Sequence, residues 1–399
     1  MDKHLKLNSY CVKGGKRNES TKAHQLPLYL SSSFVMEDSQ EAVDIFTGQK
    51  KGHVYSRYGN PTIDTVANKI AYLEGYDLKG ETYGFLTSSG MSAITTLMMS
   101  TLQSGDAVLT QGNLYGGSTE LLKKILSRMG VDTIFTNLQD LDAVEGIIKE
   151  NGNIRLLYFE TPANPTMACI DIEAINIVAS RYDVPTAIDN TFCTPYLQRP
   201  LSMGTDYVIH STTKYLNGHG NSIAGAIITA NYEASRKIWE TLKLNGSTCN
   251  PFDAWLLSNG MKTLAIRMDK HSSNAQSIAE YLSQHDKVTH VNYNGLPDHQ
   301  DHEIAKKQMS QFGGMLSFTV VGGQAEALAT IDRLQYCTHA PTLGDVDTLV
   351  LHPATSSHLN VDHSIREKNG ITDGMVRVSV GIEDVDDLIA DFEQALGQL

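Results

Sequence analysis

The sequence predicts an α/β chain: a mostly parallel sheet with helices on both faces, followed by a smaller α+β domain. Three observations carry this. From residue 61, short apolar runs alternate with helix-length segments, the rhythm of βαβ units, because a parallel crossover needs about a dozen residues or more. The runs are largely apolar, as expected of strands covered on both faces. Near residue 251 the pattern turns dominantly helical, and later strands are fewer and more widely spaced.

Taken in order, residues 1–60 are polar and Gly/Ser-dotted without sustained periodicity, which predicts an irregular arm. Thr62–Leu73 has the apolar spacing of a helix. Strands are predicted at Tyr83–Leu86, Ala107–Leu109, Thr133–Phe135, Leu156–Phe159, Thr186–Ile188 and Tyr207–Ile209. Right-handed crossovers would bring their ends, and any ligand, to one edge. Pro251 can open a helix; Asp253–Leu264 continues it, and a polar-faced stretch runs on to Ser283. Strands follow at Val288–Asn292, Met315–Val320 and Met375–Val380, with a closing amphipathic helix at Val385–Leu396. The predicted division is an arm (1–60), an α/β domain (61–255) and an α+β domain (256–399).

The 399 residues suffice for two domains, and 41% hydrophobic with 19% charged residues is a globular balance. Lys+Arg 32 against Asp+Glu 45 leaves a net charge of -13. No overall positive field favours nucleic acid or anionic membranes, although local pockets for small anions remain compatible. Five scattered cysteines without a CxxC pair fit a reducing compartment and argue against disulfides or structural zinc. With no apolar signal region and no run of 18 apolar residues, the expectation is a cytoplasmic protein. The run Asp298–Glu303 looks metal-like, but a solvated loop before a helix is expected, and no metal site. GxGxxG, GxxxxGK[ST] and HExxH are absent. Met91, Met98 and Met99 are expected as core or turn residues. His352 and His358 suit structural hydrogen bonding as well as catalysis.

Chemistry concentrates at strand ends. His210–His219 (HSTTKYLNGH) follows an apolar run, so Lys214 sits where a strand turns, beside Ser211 and Thr213. A lysine in a mainly apolar setting can have a lowered pKa and form a Schiff base, and the hydroxyls can donate to an anion. Taken alone, an exposed loop lysine would be the commoner reading. Thr186–Phe192 ends another strand in Asp189, either a strand-end cap or a partner for a pyridinium nitrogen. Thr87–Ala93 (TSSGMSA) links a strand to a helix whose N–H groups could cradle a phosphate.

Together with Tyr55–Thr62 (YSRYGNPT), Leu114–Gly117 (LYGG), Glu160–Pro165 (ETPANP), Leu343–Asp345, His352–Ala354 and Val376–Gly381 (VRVSVG), these blocks resemble the cysteine/methionine-metabolism family of pyridoxal-phosphate enzymes over nearly the whole chain. The resemblance implies an aspartate-aminotransferase-like fold (fold type I) and the cofactor pyridoxal 5'-phosphate. Lys214 would hold the cofactor covalently and shuttle protons. Asp189 would keep the ring nitrogen protonated, and Tyr115 would stack on the ring and assist the leaving group. Gly90, Met91, Ser211 and Thr213 would bind the phosphate; Tyr55 and Arg57 would reach it from a neighbouring subunit. Asn164 would touch the ring's 3-oxygen, and Thr342 and Arg377 would bind substrate, Arg377 as a bidentate fork on its carboxylate.

Within the family, Leu343-Gly344-Asp345 and Ile371–Gly381 look most like methionine γ-lyases, although Gly117 and Thr342 stand where those enzymes commonly have Cys and Ser. Pro341 replaces the Glu typical of cystathionine γ-lyases. His352–His358 is similar to cystathionine γ-synthases and O-acylhomoserine sulfhydrylases, the second reading. A non-catalytic paralogue is the alternative of another class, opposed by Lys214, Asp189, Tyr115 and Arg377 standing together. A small sulfur amino acid is the expected substrate, and the expected assembly is a homo-oligomer, a tetramer built as two dimers.

Overall fold

The apolar runs pair into one seven-stranded sheet in the computed structural model, which describes residues 5–15, 22–359, 361 and 363–399. Its strands are β1 (Tyr83–Thr87), β2 (Ala107–Gln111), β3 (Asp132–Thr136), β4 (Ile154–Glu160), β5 (Thr186–Asp189), β6 (Tyr207–Ser211) and β7 (Gly225–Thr229), in the order β1-β7-β6-β5-β4-β2-β3. Only β7 runs antiparallel to its neighbours. The C-terminal ends of β1, β2, β4, β5 and β6 therefore share one edge, where a doubly wound sheet binds its ligand. A second sheet holds β8 (Val288–Asn292), β9 (Met315–Val320), β10 (Thr338–His339), β11 (Leu349–Leu351) and β12 (Met375–Ser379), in the order β10-β11-β12-β9-β8.

Helices cover both faces of the large sheet, and apolar clusters fill each interface. The first helices along the chain are α1 (Leu7–Lys13), α2 (Ser39–Phe46), α3 (Pro61–Glu74), α4 (Gly90–Thr101) and α5 (Gly116–Glu120), of which α4 and α5 begin at the site. Asn60 starts α3, its side chain accepting the Thr62 N–H at 2.9 Å, with Pro61 at the first helical position. The face Ile63, Val66, Ala67, Ile70 is then buried. The helix Val385–Leu396 has the predicted bounds. No helix among the described residues is long and apolar enough to cross a membrane.

The differences from the sequence reading have local causes. Residues 1–60 are not wholly irregular: α1 and α2 form there, and Tyr10 and Cys11 of α1 are buried in the main core. Seven or eight residues span barely two turns, too few for a visible period; residues 1–4 and 16–21 of that segment lie outside the described residues. Strand β7 went unpredicted because Gly218, Gly220 and Gly225 make its approach look like loop. β10 and β11, of two and three residues, fall below any periodicity. The run Asp298–Glu303 leads into a helix, His302–Gln308, whose first two residues it supplies, but it is not solvated throughout. Asp301 is buried, accepting the Cys169 N–H at 2.7 Å and the Gln139 amide at 3.0 Å, and His299 accepts the Asp301 N–H. These groups tie the loop after β4 to the loop after β8.

Candidate active site

Five strand ends and one strand interior supply the site. At the end of β1, Ser89 caps α4 by accepting the Ser92 N–H at 3.0 Å, and its carbonyl accepts from Ala93. The N–H groups of Gly90 and Met91 are left as first-turn donors without a helical acceptor. A Cβ on Gly90 would lie 2.7 Å from the Cβ of Ser211, so the helix start and the end of β6 meet in a cradle only glycine permits. Thr213 stands beside it, its hydroxyl exchanging bonds with the Ala224 backbone at 3.2–3.3 Å. Backbone donors at a helix N-terminus and two nearby hydroxyls suit a phosphate.

Lys214 follows β6 in a turn. Its Nζ donates to Thr342 Oγ1 at 2.8 Å. Burial, and then the positive Arg377, push its pKa down to about 8. Thr342 also touches Arg377, its carbonyl accepting from Nη2 at 2.7 Å. Arg377 is central in β12, 3% exposed, between Leu351 and Ser317. Its buried Nε has no protein partner, leaving part of the guanidinium free for an anion.

Asp189 ends β5. It accepts the Thr191 N–H at 3.0 Å and the Thr191 hydroxyl, while burial raises its pKa. Asn164, in the loop after β4, is buried with Oδ1 unpartnered. Tyr115 caps α5 and is half exposed, its ring packed over Gly117: a Cβ there would lie 2.6 Å from the ring and 3.0 Å from Met91 Sδ. Cradle, lysine, acid, arginine and two orphaned polar atoms fit a phosphorylated aromatic aldehyde and an amino-acid carboxylate.

Tyr55 and Arg57 behave differently. Arg57 donates to the Lys243 carbonyl and stacks on Tyr58 with 4.9 Å between its guanidinium carbon and the ring centroid. Tyr55 is 41% exposed. Among the described residues, no hydrogen bond joins either to the cradle within one chain. His352 is structural, bonded to Thr355 and to the Asp373 carbonyl. Buried His358 is held well below the usual histidine range, about 4, by burial and by Arg377. Met98 is core, whereas Met99 is exposed.

Glu160 carried no role in the sequence reading. It ends β4 in register with Asp189 and accepts the Tyr115 N–H at 2.8 Å. Its only signal was a second acid, beside Asp189, at the end of a predicted strand. The candidate metal group His363, Glu367 and Asp373 lies apart from these contacts, and two of the three are exposed.

A family model described as Cys/Met metabolism PLP-dependent enzyme matches residues 8–397. An L-methionine gamma-lyase of Fusobacterium nucleatum subsp. polymorphum is 42% identical over 94% of this chain and 93% of its own length. An O-succinylhomoserine sulfhydrylase of Pseudomonas aeruginosa is 39% identical over 98% and 96%. The crystal structure of a cystathionine gamma-lyase from Lactobacillus plantarum complexed with L-serine superposes with a TM-score of 0.91 at 37% identity, covering 98% of this chain and 99% of that one.

Proposed function

The chain belongs to the Cys/Met metabolism PLP-dependent enzymes, and from that premise we propose that it is a carbon–sulfur lyase carrying out α,γ-elimination of L-methionine to 2-oxobutanoate, methanethiol and ammonia. The carrying observation is the apolar surround of Gly117. Tyr115's ring and Met91's sulfur crowd that position, and Pro341 precedes Thr342. An S-methyl group needs nothing more, whereas the distal ammonium and carboxylate of cystathionine would ask for charges that these residues lack.

Pyridoxal phosphate, when bound, supplies the electron sink that acidifies the substrate Cα–H. The protein does the rest. Gly90, Met91, Ser211 and Thr213 hold the phosphate, and Asn164 offers its amide to the ring's 3-oxygen. Asp189 keeps a proton on the ring nitrogen through its negative charge. Arg377 grips the substrate carboxylate with a guanidinium already fixed by Thr342. Lys214 would hold the cofactor covalently. Its free amine, with a pKa pushed down to about 8, would take the Cα proton on Nζ and pass it on to the cofactor. It would then take a proton from Cβ, which must leave before the γ-substituent can depart. Tyr115, facing the leaving group, gives a proton to the departing thiolate.

A second reading rests on the His352–His358 stretch and on the sulfhydrylase relative at 39% identity: γ-replacement on an O-acylhomoserine, with a thiol in place of water. One panel separates the two. Methionine, homocysteine, cystathionine, cysteine and an O-acylhomoserine are each supplied with and without thiol, following 2-oxobutanoate and sulfur products. Fastest release of 2-oxobutanoate from methionine supports the lyase; turnover of O-acylhomoserine that needs thiol replaces it. We also read the enzyme as cytoplasmic and as a homotetramer of two dimers, in which arm 1–60 serves a neighbour while 61–255 and 256–399 form the cofactor and C-terminal domains.

A further inference from the structure

Glu160 and Asp189 are paired residues of adjacent parallel strands, so both carboxyls emerge at one sheet edge. Glu160 is 7% exposed. Two like charges so placed, with little water, cannot both persist cheaply. The hydrogen bonds decide which one keeps the charge. Thr191's hydroxyl accepts the Ser211 N–H at 2.8 Å, so its proton is directed to Asp189, which also receives the Thr191 N–H. Asp189 thus faces two committed donors, the setting of an ionised acid.

Glu160 has a different environment. Oε2 accepts the Tyr115 N–H, while Oε1 lies 3.1 Å from the Ser118 hydroxyl and 3.3 Å from the Tyr158 hydroxyl. Hydroxyls accept as readily as they donate, so Oε1 can carry a proton and still be satisfied. Gln111 of β2 fixes the Glu160 backbone from both sides, at 2.9 and 3.1 Å. The titratable neighbours are Tyr115 capping α5, Tyr158 of β4 and Asp189 of β5, with His210 of β6 acting on Asp189; β2 offers only the neutral Gln111. Burial and the Asp189 charge push the Glu160 carboxyl up to about 8.

We propose that Glu160 is a positioning residue that keeps the proton of the Glu160–Asp189 pair, leaving Asp189 ionised for the cofactor ring while its own carboxyl fixes the backbone of Tyr115. This rests on the pyridoxal-phosphate site described above, but not on which sulfur amino acid is consumed.

The test has a spectroscopic and a kinetic arm. Infrared difference spectra of the full chain stripped of cofactor, wild type minus Glu160→Gln, should contain a protonated-carboxyl stretch at pH 6.5. That band should fade as pH rises through about 8. Absence of the band overturns the proposal. In the holoenzyme, Glu160→Ala should lower kcat about tenfold or more with little change in KM, because Tyr115 loses its anchor. Glu160→Gln, whose amide can accept from Tyr115 and donate to Ser118, should recover most of that loss. Equal damage in both variants would mean the charge itself is needed, and full turnover in Glu160→Ala would mean Tyr115 is held otherwise; either overturns it. Should Glu160→Ala fail to fold, the infrared band alone decides. Wild-type inactivity on every sulfur amino acid would sink the reaction assignment and leave the infrared result standing.

Discussion

Lys214 donates to the hydroxyl of Thr342 at 2.8 Å across 128 residues of sequence, and the carbonyl of the same threonine accepts from Arg377. One residue thus joins the proposed base to the proposed carboxylate clamp. Thr342→Val deletes the hydroxyl and keeps the carbonyl. A hydrogen bond to a charged group is worth about 1.5–3 kcal/mol, so kcat should fall roughly tenfold or more with KM little changed, and Thr342→Ser should restore it. A rise in KM without loss of kcat would instead assign Thr342 to substrate binding.

Lys214 has its pKa near 8 because it is buried and faces Arg377. At pH 7 about a tenth of such amines are neutral, against well under a thousandth at 10.5. Reconstitution of stripped protein with cofactor should therefore speed up with pH to a plateau whose midpoint lies near 8, read from the visible band that borohydride bleaches. A midpoint near 10 would contradict the geometry. Lys214→Ala should lose the band and nearly all turnover.

The same depression has a stability consequence. Between pH 8 and about 10.5 the unfolded lysine binds a proton that the folded one does not, so stability rises with pH across that window and is lost as pH falls toward 8. Stripped wild-type protein should gain thermal stability between pH 8 and 10 relative to Lys214→Met. Parallel melting curves for the two would contradict the shift.

Asp189 should matter to turnover more than to assembly. Asp189→Asn keeps the shape and the Thr191 contacts but removes the charge that, in the proposed role, would hold the ring nitrogen protonated. If that charge is worth two pKa units, roughly 2.7 kcal/mol, kcat should drop about 100-fold while the variant still binds cofactor. Near-normal kcat would remove Asp189 from its proposed role.

Much of this arrangement was legible in the sequence because strand ends announce themselves. Asp189 and Ser211 each close an apolar run, and Gly90 opens a helix behind a serine cap, so one parallel sheet must bring them together. The links that cross between sheets were not legible. Thr342 meets Lys214 only because Gly344, at φ +77°, lets its loop approach so closely that a Cβ would lie 2.7 Å from the Tyr215 nitrogen. Glu160 shows its pairing with Asp189 only once the register of β4 and β5 is known. The buried His299–Asp301 staple depends on a contact with Cys169, over a hundred residues away.

Arg57 lies against the end of the helix Tyr232–Asn245 in its own chain, donating to the Lys243 carbonyl and stacked on Tyr58. The cradle of Gly90, Met91, Ser211 and Thr213 offers donors but no full positive charge, and a phosphate carries close to two negative ones. An arginine from a second chain would complete it, linking cofactor binding to association. Arg57→Ala should weaken cofactor affinity by about 1.5–3 kcal/mol, the worth of a charge-assisted bond. That loss alone would not reveal whose arginine acts, so the deciding test mixes Arg57→Ala with Lys214→Ala. A hybrid dimer contains one site damaged twice and one with both Lys214 and the other chain's Arg57 intact. Activity should reappear after subunit exchange, toward a quarter of wild type in an equal mixture with random pairing: half the dimers are then hybrid, each with one good site of two. Exchange verified by mass without recovered activity would return Arg57 to a role within its own chain.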